Sequence, residues 1–93
     1  MQSSVDAAWQ NLRIDNNTGV TITELYFQPA EATDWGNDFL DGTMPDGYGV
    51  DLSYSGAGNY SFRFVFEDGS EATWDGDTSI YLDGHSQVNV YVN

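Results

Sequence analysis

The chain has no cysteine and no lysine, a single histidine, two prolines, and Arg13 and Arg63 as its only cationic side chains. Without cysteine there is no disulfide, no thiolate nucleophile and no Cys-ligated zinc, and the compartment stays open on that criterion. Fifteen acidic side chains against two arginines give a formal net charge of -13 over 93 residues, which opposes approach to nucleic-acid phosphates and anionic lipid. Nucleic acid is therefore excluded as a partner. No apolar run approaches the ~18 to 20 residues of a spanning helix, so membrane insertion is not expected. The opening MQSSVDAAWQ lacks the apolar segment of a signal peptide.

Of the acids, eleven are Asp and four are Glu, and Asp favours turns and caps over helix interiors. Asp-Gly recurs at residues 41, 46, 68, 75 and 83, each a reversal signal because glycine tolerates positive φ and Asp can bond its own turn. Between these marks the apolar residues alternate. YSFRFVFE places Tyr60, Phe62, Phe64 and Phe66 on one face and Ser61, Arg63, Val65 and Glu67 on the other, the period of a half-buried strand. Asp68-Gly69 then turns the chain back through EATW, carrying Trp74 over the same core. The same pattern predicts a second hairpin, with Ile80 and Leu82 inward, Asp83-Gly84 at the tip, and Val88, Val90 and Val92 sharing a face. Upstream, Leu12 and Ile14 point inward. Val20 and Ile22 share one parity and Leu25 and Phe27 the other, so a bulge is expected near Glu24, with Pro29 ending the strand. No segment holds apolar residues at helical spacing for three turns; one short turn within EATDWGNDFL is the nearest candidate.

The predicted fold is all-β: one domain over residues 1–93, with 1–8 as a linker or disordered segment. It is an immunoglobulin-like antiparallel β-sandwich of six to seven strands. The order ELYFQP, DWGNDFL, PDGYGVDL, NYSFRFVFEDG resembles a family of small exported bacterial β-sandwich domains, mostly uncharacterised. Their pattern is Tyr-x-x-Pro, Trp-Gly-x-Asp-x-Leu, a Pro-x-Gly turn and a late strand closing on Asp-Gly. It falls here on Tyr26 to Pro29, Trp35 to Leu40, Pro45 to Gly47 and Phe62 to Gly69. The resemblance spans roughly residues 10 to 75 and implies a fold and an export route, so a secreted or cell-surface location is expected, with no activity to transfer. Two departures are the missing cysteines near the end of the domain and the unusual acidity.

Catalysis has little to work with. His85 follows the Asp83-Gly84 turn, where a solvated turn residue is the plainer account, and no Gly-x-Ser-x-Gly elbow occurs. A carboxylate pair would need an enclosing cleft that so small a domain rarely forms. Cation binding is the sharper alternative, since Ca²⁺ takes six to eight hard oxygens. The candidate ligands are Asp34, Asn37, Asp38 and Asp41 in one loop and Asp75 and Asp77 in another, although neither loop has EF-hand spacing. Against this stands a purely structural role, with Asp34 capping a turn at Trp35 and the other acids solvated. Three rings, Trp35, Tyr48 and Trp74, are candidates for contact with a sugar face or a protein, and core packing is the alternative for each. VNVYVN carries no charge, and is either paired internally or a strand donor to another copy. The expectation is a non-enzymatic binding or structural module outside the cytoplasm, monomeric or weakly self-associating, with weak calcium binding at its rims. A carbohydrate-binding module and a self-assembling subunit are the alternatives.

Overall fold

A computed structural model describes residues 11–54, 56–84 and 86–93. The expectations for the first eight residues and for His85 fall outside them. Seven strands appear: β1 (Leu12–Asn16), β2 (Ile22–Pro29), β3 (Gly49–Leu52), β4 (Gly58–Phe66), β5 (Glu71–Trp74), β6 (Ile80–Leu82) and β7 (Val88–Val92). One 3₁₀ turn at Gly76–Thr78 is the only helical element among the described residues. The strands form two sheets, ordered β3-β1-β7 and β2-β4-β5, the two-layer arrangement of a β-sandwich. β6 lies end to end with β5 along the edge of β4 opposite β2, and the chain leaves that edge between them through residues 75–79.

The alternation read in the sequence sets the core. Leu12 and Ile14 of β1 and Val90 and Val92 of β7 face Leu25 and Phe27 of β2, Phe62 and Phe64 of β4 and Leu82 of β6, all buried. Each such side chain contributes about 1.5–3 kcal/mol on leaving water. The rings pack in order: Phe27 stacks on Phe62 at 5.7 Å and Phe62 on Phe64 at 6.3 Å, with Trp74 edge-on to Phe62 and Phe64 at 6.0 and 5.0 Å. The expected bulge falls between Ile22 and Glu24, where the β2–β4 register shifts. Thr23 there donates its hydroxyl to the Val65 carbonyl at 3.1 Å. The inserted residue lets Ile22 and the Leu25–Phe27 pair face the same core despite their opposite parity.

Two expectations are corrected. The short turn within residues 31–40 is irregular loop, not helix. Asp83-Gly84 is not a hairpin tip: β6 stays beside β4 in the larger sheet, while β7 pairs in parallel with β1, Leu12 opposite Val88 and Asn16 opposite Val92. The sandwich is thus not wholly antiparallel. The cause is the corner itself, built around Tyr54, whose hydroxyl donates to the Ser86 carbonyl at 3.1 Å and accepts from Gly84 N–H at 3.3 Å. Asn11 fixes Tyr54 from behind, accepting from its N–H at 3.0 Å and donating to its carbonyl at 3.3 Å. Gly84 has φ +94°, and a Cβ there would stand 3.1 Å from the Ala57 nitrogen, so only glycine turns this corner without strain.

Candidate functional site

The acidic segment from Asp34 to Gly42 runs beside β2, on the edge away from β4. Asp38 accepts from the Leu25 N–H and the Leu40 N–H, each at 2.9 Å, and the Phe39 N–H donates to the Leu25 carbonyl at 2.8 Å. Further along, Ile22 and Met44 exchange both backbone bonds, at 3.0 and 2.8 Å. A carboxylate and an irregular loop therefore satisfy the open edge that a strand would otherwise occupy. Phe39 seals the arrangement with its ring 4.7 Å from that of Phe27. The clamp is Asp38, where the sequence had suggested Asp34 as a cap.

With the segment anchored there, its first part folds over the outer face of the larger sheet. Gln28 and Ser61 are opposite one another in the β2–β4 ladder and point to that face. Gln28 Nε2 donates to the Trp35 carbonyl at 2.9 Å. Gly36, at φ +68°, passes so near that a Cβ would lie 2.6 Å from Gln28 Nε2. The outcome is a pocket of about 190 Å³, open to solvent and lined by Gln28, Thr33, Asp34, Trp35, Ser61 and Asp75 among others. Across Pro29 lies a second depression of similar volume, lined by Glu31 and residues 56–60.

Ser61 is the notable member. The residue is only 7% exposed, and its hydroxyl makes no hydrogen bond among the described residues. Among the described residues no side-chain polar atom sealed from solvent lacks a partner, so this hydroxyl keeps some access, and Ser61 lines the pocket. Asp75 arrives by the detour between β5 and β6. There it heads a capping box with Thr78, whose hydroxyl accepts from the Asp75 N–H at 2.9 Å and donates to the Asp75 carbonyl at 2.8 Å. Neither Asp34 nor Asp75 is paired with a cation: the ion pairs of the described residues join Arg13 to Asp15 and Asp51, and Arg63 to Glu71.

Both arginines sit in the middle of an outer sheet face. Arg63 Nη2 meets Glu71 at 2.9 Å, and its guanidinium lies 5.4 Å from the centre of the Tyr26 ring. The hydrogen bond from Arg63 holds the Glu71 carboxyl below its ordinary pKa. Tyr26 donates to Glu24, and that bond, with partial burial, pushes its phenol up. On the other sheet Arg13 bridges Asp15 and Asp51, each at 3.2 Å.

The six expected cation ligands do not assemble. Among the described residues no three His, Asp or Glu side chains come together as a metal ion requires. Asp38 clamps β2, Asn37 and Asp41 are exposed, and Asp77 is exposed within the 3₁₀ turn. The fold instead brings Asp34 of one loop to the same pocket as Asp75 of the other. The three candidate rings also part company. Trp35 lines the pocket, Trp74 packs on the core, and Tyr48 stands 64% exposed at the opposite end of the sandwich. Tyr81 and Tyr91, 63% and 56% exposed, were not singled out in the sequence, although each alternates with inward residues, Ile80 and Leu82 or Val90 and Val92. Gln28 and Ser61 carried the same outward parity. VNVYVN pairs internally, with β1. No family model, curated protein or solved structure matches the chain.

Proposed function

We propose that this domain is a non-enzymatic recognition module of immunoglobulin-like type, exported to the cell surface or beyond, which binds a protein or polysaccharide through the Trp35 pocket. The observation that carries the reading is Ser61, nine-tenths buried, whose hydroxyl has no partner among the described residues, in a cavity whose lining also includes Trp35, Asp34 and Asp75. Buried hydroxyls are ordinarily satisfied, and one left free in a pocket is placed for a bound molecule or its solvent stand-in. The immunoglobulin-like assignment rests on the change of sheet between β6 and β7 and on the parallel pairing of β1 with β7. Export rests on the family resemblance of the Tyr26–Pro29 and Trp35–Leu40 motifs. Binding in place of catalysis is the reading favoured by a side-chain inventory without cysteine or lysine and with a single histidine.

The test is amide chemical-shift mapping of the ¹⁵N-labelled protein against a panel of extracellular polysaccharides and basic proteins. Shifts should concentrate at residues 28–36, 61 and 75, and Ser61→Ala should weaken the interaction. A spectrum unmoved by every member of the panel, or moved only at the Tyr48 end, overturns the proposal.

A further inference from the structure

We infer that the Trp35 pocket takes an alkylammonium group, delivered as the lysyl side chain of a basic protein partner. The inference rests on the pocket being a binding site and names what it binds.

Hydrogen-bonding capacity points that way first. Asp34 and Asp75 are acceptors only when ionised, and Gln28, whose amide nitrogen is engaged by the Trp35 carbonyl, has its carbonyl oxygen left. The Ser61 hydroxyl can accept as well as donate. An ammonium brings three donors and no acceptor, so it complements this set, whereas a sugar brings as many acceptors as donors. Charge points the same way. Among the described residues the two carboxylates have no cationic partner, both arginines are held in cross-strand pairs on the sheet faces, and the chain has no lysine to fill the site from within. Trp35 is part of the lining, and indole is the ring that binds cations best.

Size and number exclude the competitors. A volume of about 190 Å³ lies below the ~300–1,000 Å³ of pockets for drug-sized ligands, and suits one ammonium with its last methylenes better than a length of polysaccharide. Ca²⁺ asks for six to eight oxygens, and no third carboxylate or imidazole among the described residues joins the two present. A net charge of -13 draws a basic protein toward the domain as a whole, an attraction that a free amine exploits far less.

The experiment titrates ¹⁵N-labelled protein with Nα-acetyl-lysine amide, its Nε-acetylated counterpart, a short lysine-rich peptide and a neutral disaccharide. The free amine and the peptide should shift Gln28, Asp34, Trp35, Ser61 and Asp75, the peptide at lower concentration, and the Nε-acetylated compound should not. Trp35→Ala should weaken the amine by about tenfold. Asp34→Asn and Asp75→Asn, both at exposed positions that leave the fold intact, should each weaken it several-fold, while Tyr48→Ala changes nothing. Raising salt should weaken it further. If the disaccharide moves these resonances and the amine does not, the ammonium assignment fails and the binding site stands. If none of the four compounds moves them, both fail. Amine-induced shifts spread over the acidic surface and unaltered by Asp34→Asn would reduce the effect to non-specific attraction and overturn the assignment.

Discussion

The two ends of the sandwich treat their polar groups in opposite ways. At the end where β1 stops and β2 begins, Asn16 is 0% exposed and wholly used. Its Nδ2 donates to the Val20 and Met44 carbonyls at 2.8 and 2.9 Å, and its Oδ1 accepts from the Thr18 N–H and hydroxyl at 3.0 and 2.6 Å. Its main chain bonds Tyr48 and Gly47 at 2.9 and 2.7 Å, and Asp46 holds the Gly19 N–H at 2.8 Å. This side chain ties the segment 18–20 to Met44 as a strand ladder does elsewhere. At the other end Ser61 is almost as deeply placed, and its hydroxyl bonds nothing among the described residues. The lesson is that burial alone does not identify a binding group; burial with capacity left over does.

Breaking that contrast should produce effects of very different size. Asn16→Ala removes four buried or part-buried hydrogen bonds at once, although the Met44 carbonyl keeps the Ile22 N–H and the Val20 carbonyl the Thr18 hydroxyl, and is expected to cost about 3 kcal/mol by chemical denaturation, the largest single effect proposed for a polar residue. Gly36→Ala combines a positive φ with a 2.6 Å approach to Gln28 Nε2, and should cost about 1–2 kcal/mol while deforming the pocket. Asp38→Ala removes the acceptor that covers the β2 edge; the Leu25 amide should then exchange with solvent faster by about tenfold, a local loss visible even if the midpoint of unfolding moves little. Ser61→Ala should change stability by less than about 0.5 kcal/mol, because it deletes no intramolecular bond. A large loss from Ser61→Ala, or a small one from Asn16→Ala, would dissolve the distinction between the two ends.

The pH dependence sharpens the picture from the sheet face. Glu71 has its pKa depressed by the Arg63 hydrogen bond, so its pairing contributes fully above the unfolded-state value of about 4.3 and is lost as pH falls through the lower folded-state value. Asp68 behaves likewise through the bonds it accepts from the Ser70 hydroxyl and N–H. The stability difference between the parent protein and Glu71→Gln should therefore be constant near neutrality and vanish on acidification, measured as urea midpoints from pH 7 to about pH 3. A difference that grows in acid would refute the pairing.

Much of the fold was legible because it is local. The alternation of Tyr60, Phe62 and Phe64, the parity break before Leu25, the stop at Pro29 and the Asp68-Gly69 turn each follow from a few neighbouring residues. Which strands pair was less legible: Val88, Val90 and Val92 alternate identically whether their neighbour is β6 or β1, and only the Tyr54 corner decides. The site was half legible. Trp35, Asp34 and Asp75 were named from composition, but the sequence groups acids by adjacency, and the fold separates Asp34 from Asp38 and Asp41 while joining it to Asp75. Gln28 and Ser61 are ordinary outward residues of their strands until a loop closes over them, and no pattern of period two reports that closure.

One of the two neighbours of β1 in the smaller sheet is the last strand, β7; the other is β3. Almost the whole described sequence must be made before β1 can acquire that partner, which gives the topology high contact order and predicts slow, late consolidation of this layer. During synthesis β2, β4 and β5 can zip together and β3 can join β1, while the other edge of β1 still awaits β7. A nascent chain halted after Leu82 would consequently hold a smaller sheet short of its last strand, with one edge of β1 unpaired, a natural target for chaperones and proteases.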